Sequence, residues 1–299
     1  MSAEAESQLE AMAKLLDESG DYRVLRRLPE RQTIEAPDGQ QIRQALFVDV
    51  ETTGLNASED EIIEIAMKRF TYGEDGRIIE IGEAFQGLRE PSKPIPAEVT
   101  ALTGIDQAMV SGQKIDTAEI AAFIEPAHLI IAHNARFDRP FLERFCAAFE
   151  TKPWACSMSQ IDWAAQGYEG TKLAYLAMRS GFFFDAHRAI NDCIAGIEIL
   201  ARTLPKSGER AMAELLRRAR APTWRIWAEG SPFDKKDQLK ARGYRWNADG
   251  GERPRTWYCD IKEEQLESEI SYLQREIYQQ AVDVPKQRIS ALDRFSDRG

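Results

Sequence analysis

Apolar residues recur in short segments that have the spacing of buried or half-buried strands. Three of these segments are joined by short turns, which predicts an antiparallel meander. Two further apolar segments alternate with helical periodicity, as is typical of strands covered by helices. The predicted strands are 44–50, 61–70, 77–85, 128–133 and 154–157, and the predicted helices are 97–102, 117–124, 139–149, 172–179 and 187–204. The pattern therefore predicts an α/β domain over residues 44–204, with a mixed sheet covered by helices.

Both flanks of this domain have patterns of their own. Residues 1–43 form a predicted N-terminal extension, with a helix over 4–18 and a hairpin around the turn dipeptide Asp38-Gly39. Residues 205–284 form a predicted small C-terminal β/α module that begins with a linker at 205–208. Its predicted strands are 223–228, 244–247 and 256–260, with a glycine-rich turn before the last strand and helices over 209–220, 234–242 and 262–280. The polar residues 285–299 predict a frayed tail.

Charge differs between the two parts of the chain. The 299 residues carry a net charge of −10, and 43% of them are hydrophobic, which is enough for a packed core. Residues 1–204 hold 20 basic and 33 acidic side chains, whereas residues 205–299 hold 19 and 16. An acidic first part argues against passive coating of nucleic acid, which needs a basic surface. It is compatible with an enzyme whose carboxylates bind divalent metal, and the basic second part then supplies affinity for phosphate.

Cysteine spacing and apolar run length indicate the compartment. The four cysteines, Cys146, Cys156, Cys193 and Cys259, contain no CxxC pair, which argues against a structural zinc site or a disulfide framework. The longest apolar runs are too short to span a bilayer, and the N-terminus lacks an apolar signal core. We therefore expect a cytoplasmic protein with no membrane partner.

Two carboxylates mark the end of the first strand. Asp49 and Glu51 are two residues apart, so both lie on one face of that strand, while Val48 and Val50 face the core. Two neighbouring anions beside apolar residues are costly unless a cation lies between them. The alternative is a surface pair at a strand end. The abrupt change from strand to loop at Thr52-Thr53-Gly54 favours a metal-binding pair over a surface pair.

Two later segments contribute further polar residues. Asp138 lies near the start of a predicted helix, where a carboxylate can also serve as an N-terminal cap. His187 and Asp192 are five residues apart, which offsets them by about 140° on a continuous helix. Their side chains converge only if His187 lies at or before the start of the helix. Otherwise His187 is a buried or capping histidine and Asp192 is a solvated helical acid.

Together, these residues indicate a metal centre. Mg²⁺ and Mn²⁺ prefer carboxylate oxygens, and two such ions are the standard device for in-line attack on a phosphodiester. Histidine exchanges protons near neutral pH and can deprotonate an attacking water.

Three ordered motifs carry a resemblance to a known family. Asp49-x-Glu51-Thr-Thr-Gly-Leu, His133-Asn-Ala-x-Phe-Asp138 and His187-x4-Asp192 resemble the motifs of the DEDDh 3′–5′ exonucleases. This DnaQ-like family includes the proofreading epsilon subunits of bacterial replicases. Residues 99–105 are similar to the segment between the first two motifs. The resemblance covers residues 44–204 and implies an RNase H-like fold with a mixed five-stranded sheet flanked by helices.

The resemblance also implies a role for each matching residue. Four carboxylates would hold two Mg²⁺ or Mn²⁺ ions, and His187 would be the general base. The implied metal ligands are Asp49, Glu51, Asp138 and Asp192. The implied contacts to the 3′-terminal nucleotide are Thr52, Thr53, Leu55, His133, Asn134 and Phe137, with Leu55 as a wedge under the terminal base and His133 and Asn134 either on the strand or ordering the site.

The C-terminal module combines aromatic and basic residues. Four of the six tryptophans, Trp224, Trp227, Trp246 and Trp257, lie within 34 residues that also hold eight basic side chains. Exposed aromatics among basic residues suit stacking and phosphate contacts on a single strand. The alternative is that these large side chains build the core of a small module.

We therefore predict a metal-dependent 3′–5′ exonuclease that releases nucleoside 5′-monophosphates from single-stranded or frayed DNA 3′ ends, in proofreading or repair. A DNA polymerase subunit is the expected protein partner. Two alternatives remain: an exoribonuclease that trims RNA 3′ ends, because discrimination of the 2′-OH depends on pocket shape, and a non-catalytic nucleic-acid-binding adaptor.

Overall fold

A computed structural model describes residues 3–36, 39–248 and 255–298. Contacts divide the chain into two compact units: Met1–Arg218 with Phe295–Asp297, and Ala219–Arg294 with Arg298–Gly299. This division falls 14 residues after the boundary predicted at 204/205. The helix that follows the predicted linker packs with the first unit, because its Ala213 lies against the turn at Gly76 and its Glu214 accepts a hydrogen bond from the Asp162 backbone N–H.

The first unit contains seven strands and eight helices among its described residues. Its strands are β1 (Arg26–Arg27), β2 (Arg43–Thr52), β3 (Ile62–Tyr72), β4 (Ile78–Leu88), β5 (Leu129–Ala132), β6 (Trp154–Cys156) and β7 (Phe182–Phe183). Its helices are α1 (Ala3–Ser19), α2 (Ala97–Thr103), α3 (Gln107–Val110), α4 (Thr117–Ile124), α5 (Ala135–Phe145), α6 (Leu173–Arg179), α7 (Ala189–Ala201) and α8 (Ala211–Arg220), of which α8 ends two residues past the boundary.

Five of these strands form one mixed sheet in the order β4-β3-β2-β5-β6. The pairs β2–β3 and β3–β4 are antiparallel, and the pairs β2–β5 and β5–β6 are parallel. The predicted meander and the mixed five-stranded sheet flanked by helices are therefore confirmed. Helix α5 begins at Ala135 and α7 at Ala189, so α5 starts four residues earlier than predicted and α7 two residues later.

The central strand β2 packs directly against α7. Residues Ala45 to Val48 are fully buried, and Phe47 meets the helix at Gly196, where an added Cβ would lie 2.1 Å from the Phe47 ring. A side chain at residue 196 would therefore push α7 off the sheet. This close approach fixes the position of α7 relative to β2, and both elements carry candidate site residues.

The N-terminal extension forms the predicted helix, α1, and adds the short strand β1 beside β7. Ile34 donates a backbone hydrogen bond to Ile79, so the segment after β1 runs beside β4. The turn of the predicted hairpin includes residues 37 and 38, which lie outside the described residues, and that hairpin stays a prediction. Within the described part of the chain, no helix is both long and apolar enough to cross a membrane.

The second unit is a four-stranded antiparallel sheet covered by helices. Its strands are β8 (Thr223–Ala228), β9 (Arg245–Trp246), β10 (Trp257–Lys262) and β11 (Lys286–Ile289), in the order β11-β8-β10-β9, and its helices are α9 (Lys236–Ala241) and α10 (Leu266–Tyr272), with a π-helical turn at Leu273–Tyr278. Ile226, Leu239 and Leu273 are central to its core. The predicted glycine-rich turn before β10 lies outside the described residues.

The tryptophans divide between core and surface. Trp227 is buried, Trp257 packs on the core and Trp224 is partly buried, whereas Trp246 is 50% exposed. A small module uses most of its large side chains to exclude water, and Trp246 alone of the four stays half in solvent.

The expected frayed tail is wrong. Strand β11 pairs with β8 at the edge of the second sheet, so Lys286–Ile289 is ordered by a ladder of backbone hydrogen bonds. Further on, Phe295 packs against the core of the first unit, and the Ser296 hydroxyl donates to the buried Glu143 carboxylate at 2.6 Å. The sequence did not indicate strand β11 or the packing of Phe295. A short edge strand and a single buried aromatic residue produce almost no periodic pattern of apolar positions.

Candidate active site

Strand β2 presents two carboxylates at its C-terminal end. Asp49 and Glu51 lie on one face, as the alternation predicts, and the pairing with β3 shifts register between Glu51 and Thr52. The chain then turns sharply at Gly54, where an added Cβ would lie 2.4 Å from the Asp60 carboxylate. The register shifts directly after Glu51, and the two carboxylates lie near the C-terminal end of this central strand.

Asp138 approaches the same strand end from helix α5. Asp138 is only 2% exposed. The backbone N–H groups of Asp138 itself and of Val50 act to lower the pKa of its carboxyl, although burial raises that pKa overall. The parallel pairing of β2 with β5 ends at Val48, two residues before Val50. Asn134, in the left-handed conformation at φ 98°, turns the chain from β5 into α5. Asp138 thus faces the end of β2 as well as the start of its own helix.

His187 and Asp192 meet at the start of α7. His187 lies two residues before the helix and has φ 64°, which places it in the left-handed region. Its backbone N–H donates to the Asp192 carboxylate at 2.9 Å, and its side chain is exposed. The condition for convergence is therefore met, because His187 does not belong to the helix.

Three of the four predicted ligands form one group. One carboxylate oxygen each from Asp49, Glu51 and Asp192 lies within 4.8 Å of the others. Asp138 is not in that group, but its charge is the largest electrostatic contribution that raises the pKa of Asp49. The structure therefore brings all four acids to one place, with Asp138 the most deeply buried of them.

Burial and mutual repulsion shift the pKa values of these acids. Burial comes first in each case: it raises the pKa of Glu51 to about 7 and that of Asp192 to about 6. The pKa values of Asp49 and Asp138 are raised well above the usual range by burial and by neighbouring carboxylates. Anions held together at such a cost are the donor set that a hard divalent cation satisfies, so the residues present fit Mg²⁺ or Mn²⁺.

The predicted nucleotide contacts occupy different environments. The Thr52 hydroxyl is buried and donates to the Gly54 carbonyl at 2.5 Å, and the Thr53 hydroxyl accepts from the Glu61 backbone N–H at 3.0 Å. Leu55 is 87% exposed at the tip of the same turn. The two threonine hydroxyls therefore shape the turn, and Leu55 is the side chain that projects from it.

His133 is held by the protein on both ring nitrogens. Nε2 lies 2.7 Å from the Thr171 carbonyl and Nδ1 lies 2.8 Å from the Ser157 hydroxyl. Burial lowers the pKa of His133 to about 4, so the ring is neutral at pH 7. Because a carbonyl only accepts, Nε2 carries the proton and Nδ1 accepts from Ser157. His133 thus joins three segments near the site. Phe137 packs beside Phe141, with ring centroids 5.1 Å apart.

One buried acidic residue near the site, Glu64, was missed by the sequence analysis. Glu64 on β3 pairs in register with Glu51 across the ladder and is 2% exposed. Its carboxylate accepts from Arg188 and from the Ala189 backbone N–H, each at 3.1 Å. A glutamate within the apolar stretch 62–67 was the available signal, because an unpaired charge there is costly.

The chain belongs to the exonuclease family. The family model RNase_T, described as "Exonuclease", matches residues 46–200, which is just over half of the chain. The matched residues include Asp49, Glu51, Asp138, His187 and Asp192.

Curated relatives share this part of the chain. It is 34% identical over 207 residues to a DNA polymerase III subunit epsilon-like protein of Rhodobacter capsulatus, covering 64% of this chain and 28% of that protein. It is 30% identical over 167 residues to DNA polymerase III PolC-type of Caldanaerobacter subterraneus, covering 54% and 12%. DNA polymerase III subunit epsilon of Aquifex aeolicus is 27% identical over 166 residues, covering 53% and 79%. The chain therefore spans about a tenth to a quarter of the length of the first two relatives.

Two solved structures are also similar. Exonuclease X in complex with 5′-overhanging duplex DNA has 23% identity and a TM-score of 0.45, covering 58% of this chain and 99% of that one. Escherichia coli Exonuclease I in complex with an oligonucleotide has 17% identity and a TM-score of 0.48, covering 74% and 64%.

Proposed function

We propose that this protein is a metal-dependent 3′–5′ exonuclease that hydrolyses DNA from single-stranded or frayed 3′ ends and releases nucleoside 5′-monophosphates. The observation that carries the proposal is the convergence of Asp49, Glu51 and Asp192 within 4.8 Å, with Asp138 beside them and His187 at the start of α7. Membership of the exonuclease family supports it.

The four acids are proposed to hold two Mg²⁺ or Mn²⁺ ions. When bound, such ions stabilise negative charge on the attacking and leaving oxygens of a phosphodiester. Asp49 and Glu51 contribute from β2, and Asp192 contributes from the first turn of α7. The buried Asp138 carboxylate completes the cluster from α5.

His187 is proposed as the general base. Its imidazole is exposed, so water and substrate can reach it, and its backbone is tied to Asp192. It accepts a proton from the attacking water as the water oxygen bonds to phosphorus. As that bond forms, the bond from phosphorus to the 3′ oxygen of the preceding nucleotide breaks. The departing oxygen takes a proton from solvent water and becomes the new 3′-hydroxyl of the strand, and His187 returns the proton it accepted to the solvent.

Leu55 and Phe137 are proposed to contact the terminal nucleotide. Leu55 is 87% exposed in the turn that follows β2 and can lie under the terminal base. The hydroxyls of Thr52 and Thr53 are used inside the turn, so these residues contact substrate through other atoms. His133 and Asn134 order the site: the first through its two hydrogen bonds, the second through its left-handed backbone.

The second unit is proposed to contact DNA phosphates. Residues 233–246 carry five basic and two acidic side chains and expose Phe233 and Trp246, whose exposed fractions are 81% and 50%. Charge reversal at the exposed Lys236 and Lys240 is expected to weaken binding of single-stranded DNA. It should flatten the plot of log affinity against log salt by about 0.7 for each phosphate that the variant no longer neutralises. Fluorescence anisotropy in a background carrying Asp49→Ala measures this, and an unchanged salt slope would remove this surface from the proposal.

We further propose that the protein works with a DNA polymerase, in the cytoplasm. Its relatives include proteins named as subunits or types of DNA polymerase III. The residues at the site do not select deoxyribose over ribose, so RNA is the substrate to exclude first.

Paired digestion tests the proposal. Single-stranded DNA labelled at its 3′ or 5′ end, and RNA of the same sequence, are incubated with Mn²⁺ and the protein, with Asp49→Ala as control. We expect immediate loss of the 3′ label, a shrinking 5′-labelled ladder and slower digestion of RNA. Faster digestion of RNA would make the protein an exoribonuclease, and no digestion of either would leave a nucleic-acid-binding adaptor.

A further inference from the structure

Glu64 is a buried carboxylate that accepts hydrogen bonds from two residues at the start of α7. It is the third residue of β3, between the fully buried Ile63 and Ile65, and is 2% exposed. One carboxylate oxygen accepts from an Arg188 guanidinium nitrogen and the other from the Ala189 backbone N–H, both at 3.1 Å. Each oxygen is therefore engaged, and Glu64 is not a member of the group formed by Asp49, Glu51 and Asp192.

The residue at the N-cap position of helix α7 does not cap the helix. Its N-cap residue, Arg188, makes no side-chain capping hydrogen bond, although the first N–H groups of a helix have no partner within it. Glu64 accepts from the first of these, the N–H of Ala189. A carboxylate from the neighbouring sheet thus takes the place of the cap, and its negative charge lies at the positive end of the helix.

This anchor is next to the two site residues of α7. His187 precedes Arg188 in a left-handed conformation, which is strained for a residue other than glycine and persists only where its surroundings enforce it. Asp192 accepts the His187 N–H one turn later. On the other side, Glu64 is the cross-strand neighbour of Glu51. Glu64 therefore joins the strand that borders the β2 carboxylates to the helix start that carries Asp192 and His187.

We infer that Glu64, together with Arg188, is a positioning residue that sets the distance between the β2 carboxylates and the Asp192–His187 pair, and so the divalent-cation affinity of the cluster. The inference rests on the proposed function of that cluster as a metal centre. Groups that orient metal ligands in this way are commonly worth about 10–100-fold in metal affinity or activity.

Calorimetric titration of Mn²⁺ into Glu64→Gln tests the inference without turnover. Glutamine keeps the size of the side chain, but its amide nitrogen cannot accept, so it can no longer accept from both Arg188 and Ala189. We expect Mn²⁺ to bind about 10–100-fold more weakly than to the wild type. In steady-state digestion, kcat should fall by a similar factor at fixed Mn²⁺, while KM for single-stranded DNA stays within about threefold because no contact to the strand is removed.

Two further variants keep the test interpretable if Glu64→Gln folds poorly. Arg188→Gln removes the half-exposed partner and should weaken Mn²⁺ binding in the same direction. Arg188→Lys retains the charge and should recover part of the affinity. The variant that combines Glu64→Gln with Arg188→Gln should bind Mn²⁺ about as weakly as Glu64→Gln alone. Both substitutions disrupt the same Glu64–Arg188 interaction, so their effects should not add. Glu80→Gln, at an exposed position of β4, is the matched control and should behave as wild type.

The outcomes separate the two proposals. If the wild type binds Mn²⁺ but digests no nucleic acid, the proposed function is wrong. The difference in Mn²⁺ affinity between the wild type and Glu64→Gln then still tests the role of Glu64. If the wild type digests DNA and a folded Glu64→Gln binds Mn²⁺ with unchanged affinity, the inference is overturned. A change confined to KM would overturn it as well.

Discussion

Replacing Glu51 with glutamine is expected to stabilise the metal-free protein at high pH. Burial, followed by the negative charges of Asp192 and Glu64, raises the pKa of Glu51 from its ordinary value of 4.5 to about 7, while Arg188 acts in the opposite direction. The folded state then binds the Glu51 proton more tightly than the unfolded chain does. The contribution of Glu51 to the free energy of unfolding therefore falls as the pH rises from 4.5 to 7. Above pH 7 this destabilising effect is fully present.

The size of the effect follows from that shift. A rise from 4.5 to about 7 corresponds to ~3 kcal/mol at 1.36 kcal/mol per pKa unit. Glu51 is partly exposed, and solvent screening reduces this to about 1–2 kcal/mol. For a folded unit of this size, each kcal/mol shifts Tm by about 2–4 °C, so Glu51→Gln should raise the Tm of the metal-free protein by about 2–8 °C at pH 8. At pH 4.5, Glu51 is half protonated in the unfolded chain and almost fully protonated in the folded protein. The increase in Tm caused by Glu51→Gln should therefore be small at this pH.

Thermal unfolding in a chelator at pH 4.5 and pH 8 measures both quantities, with Glu80→Gln as the control for removal of an ordinary exposed charge. Added Mn²⁺ should raise the Tm of the wild type at pH 8 and raise that of Glu51→Gln much less, because a ligand stabilises the state that binds it. A lower Tm for Glu51→Gln at pH 8, or an equal change at both pH values, would refute the reasoning from clustered charge.

Four other substitutions test separate parts of the site. Asp138→Ala should abolish turnover and leave DNA binding partly intact; full activity would remove Asp138 from the cluster. His187→Ala should lower kcat about 10²–10⁴-fold, the usual contribution of a general base, and an unchanged rate between pH 6 and 9 would exclude that role. Leu55→Ala should lower kcat/KM on DNA without changing Mn²⁺ affinity in calorimetry; an equal decrease on a free dinucleotide and a long strand would be expected from a wedge at the terminal base, and no decrease on either would contradict it. Ser296→Ala should destabilise the first unit by about 1–3 kcal/mol, because the buried Glu143 loses a hydrogen-bond donor. Chemical denaturation measures this last value, and an unchanged midpoint would show that the Ser296–Glu143 hydrogen bond adds no stability.

Local spacing was sufficient to predict the five strands of the mixed sheet. Alternation placed Asp49 and Glu51 on one face, and the structure keeps them there with Asp192 within 4.8 Å. The convergence of His187 and Asp192 depended on where α7 begins, which periodicity sets only to within a turn. The left-handed backbone of His187 settles it, because that residue lies outside the helix.

Contacts between distant segments were not predictable from one sequence. Glu64 acts across the ladder and on a helix start 125 positions later, so its partners follow from the register of β3 and not from its neighbours. His133 was expected to contact the strand or order the site, and its two partners, Ser157 and Thr171, come from separate loops. The anchoring of Phe295 likewise depends on a surface that the tail reaches only in the folded chain.

The location of bound metal tests the central claim most directly. Crystals soaked in Mn²⁺ and measured near the manganese absorption edge should show two anomalous peaks, about 3.5–4 Å apart as in other two-metal sites. The account predicts these peaks among Asp49, Glu51, Asp138 and Asp192, and predicts their disappearance in Asp49→Ala. Mn²⁺-dependent hydrolysis by the same preparation, with no peak at these four residues, would contradict the account.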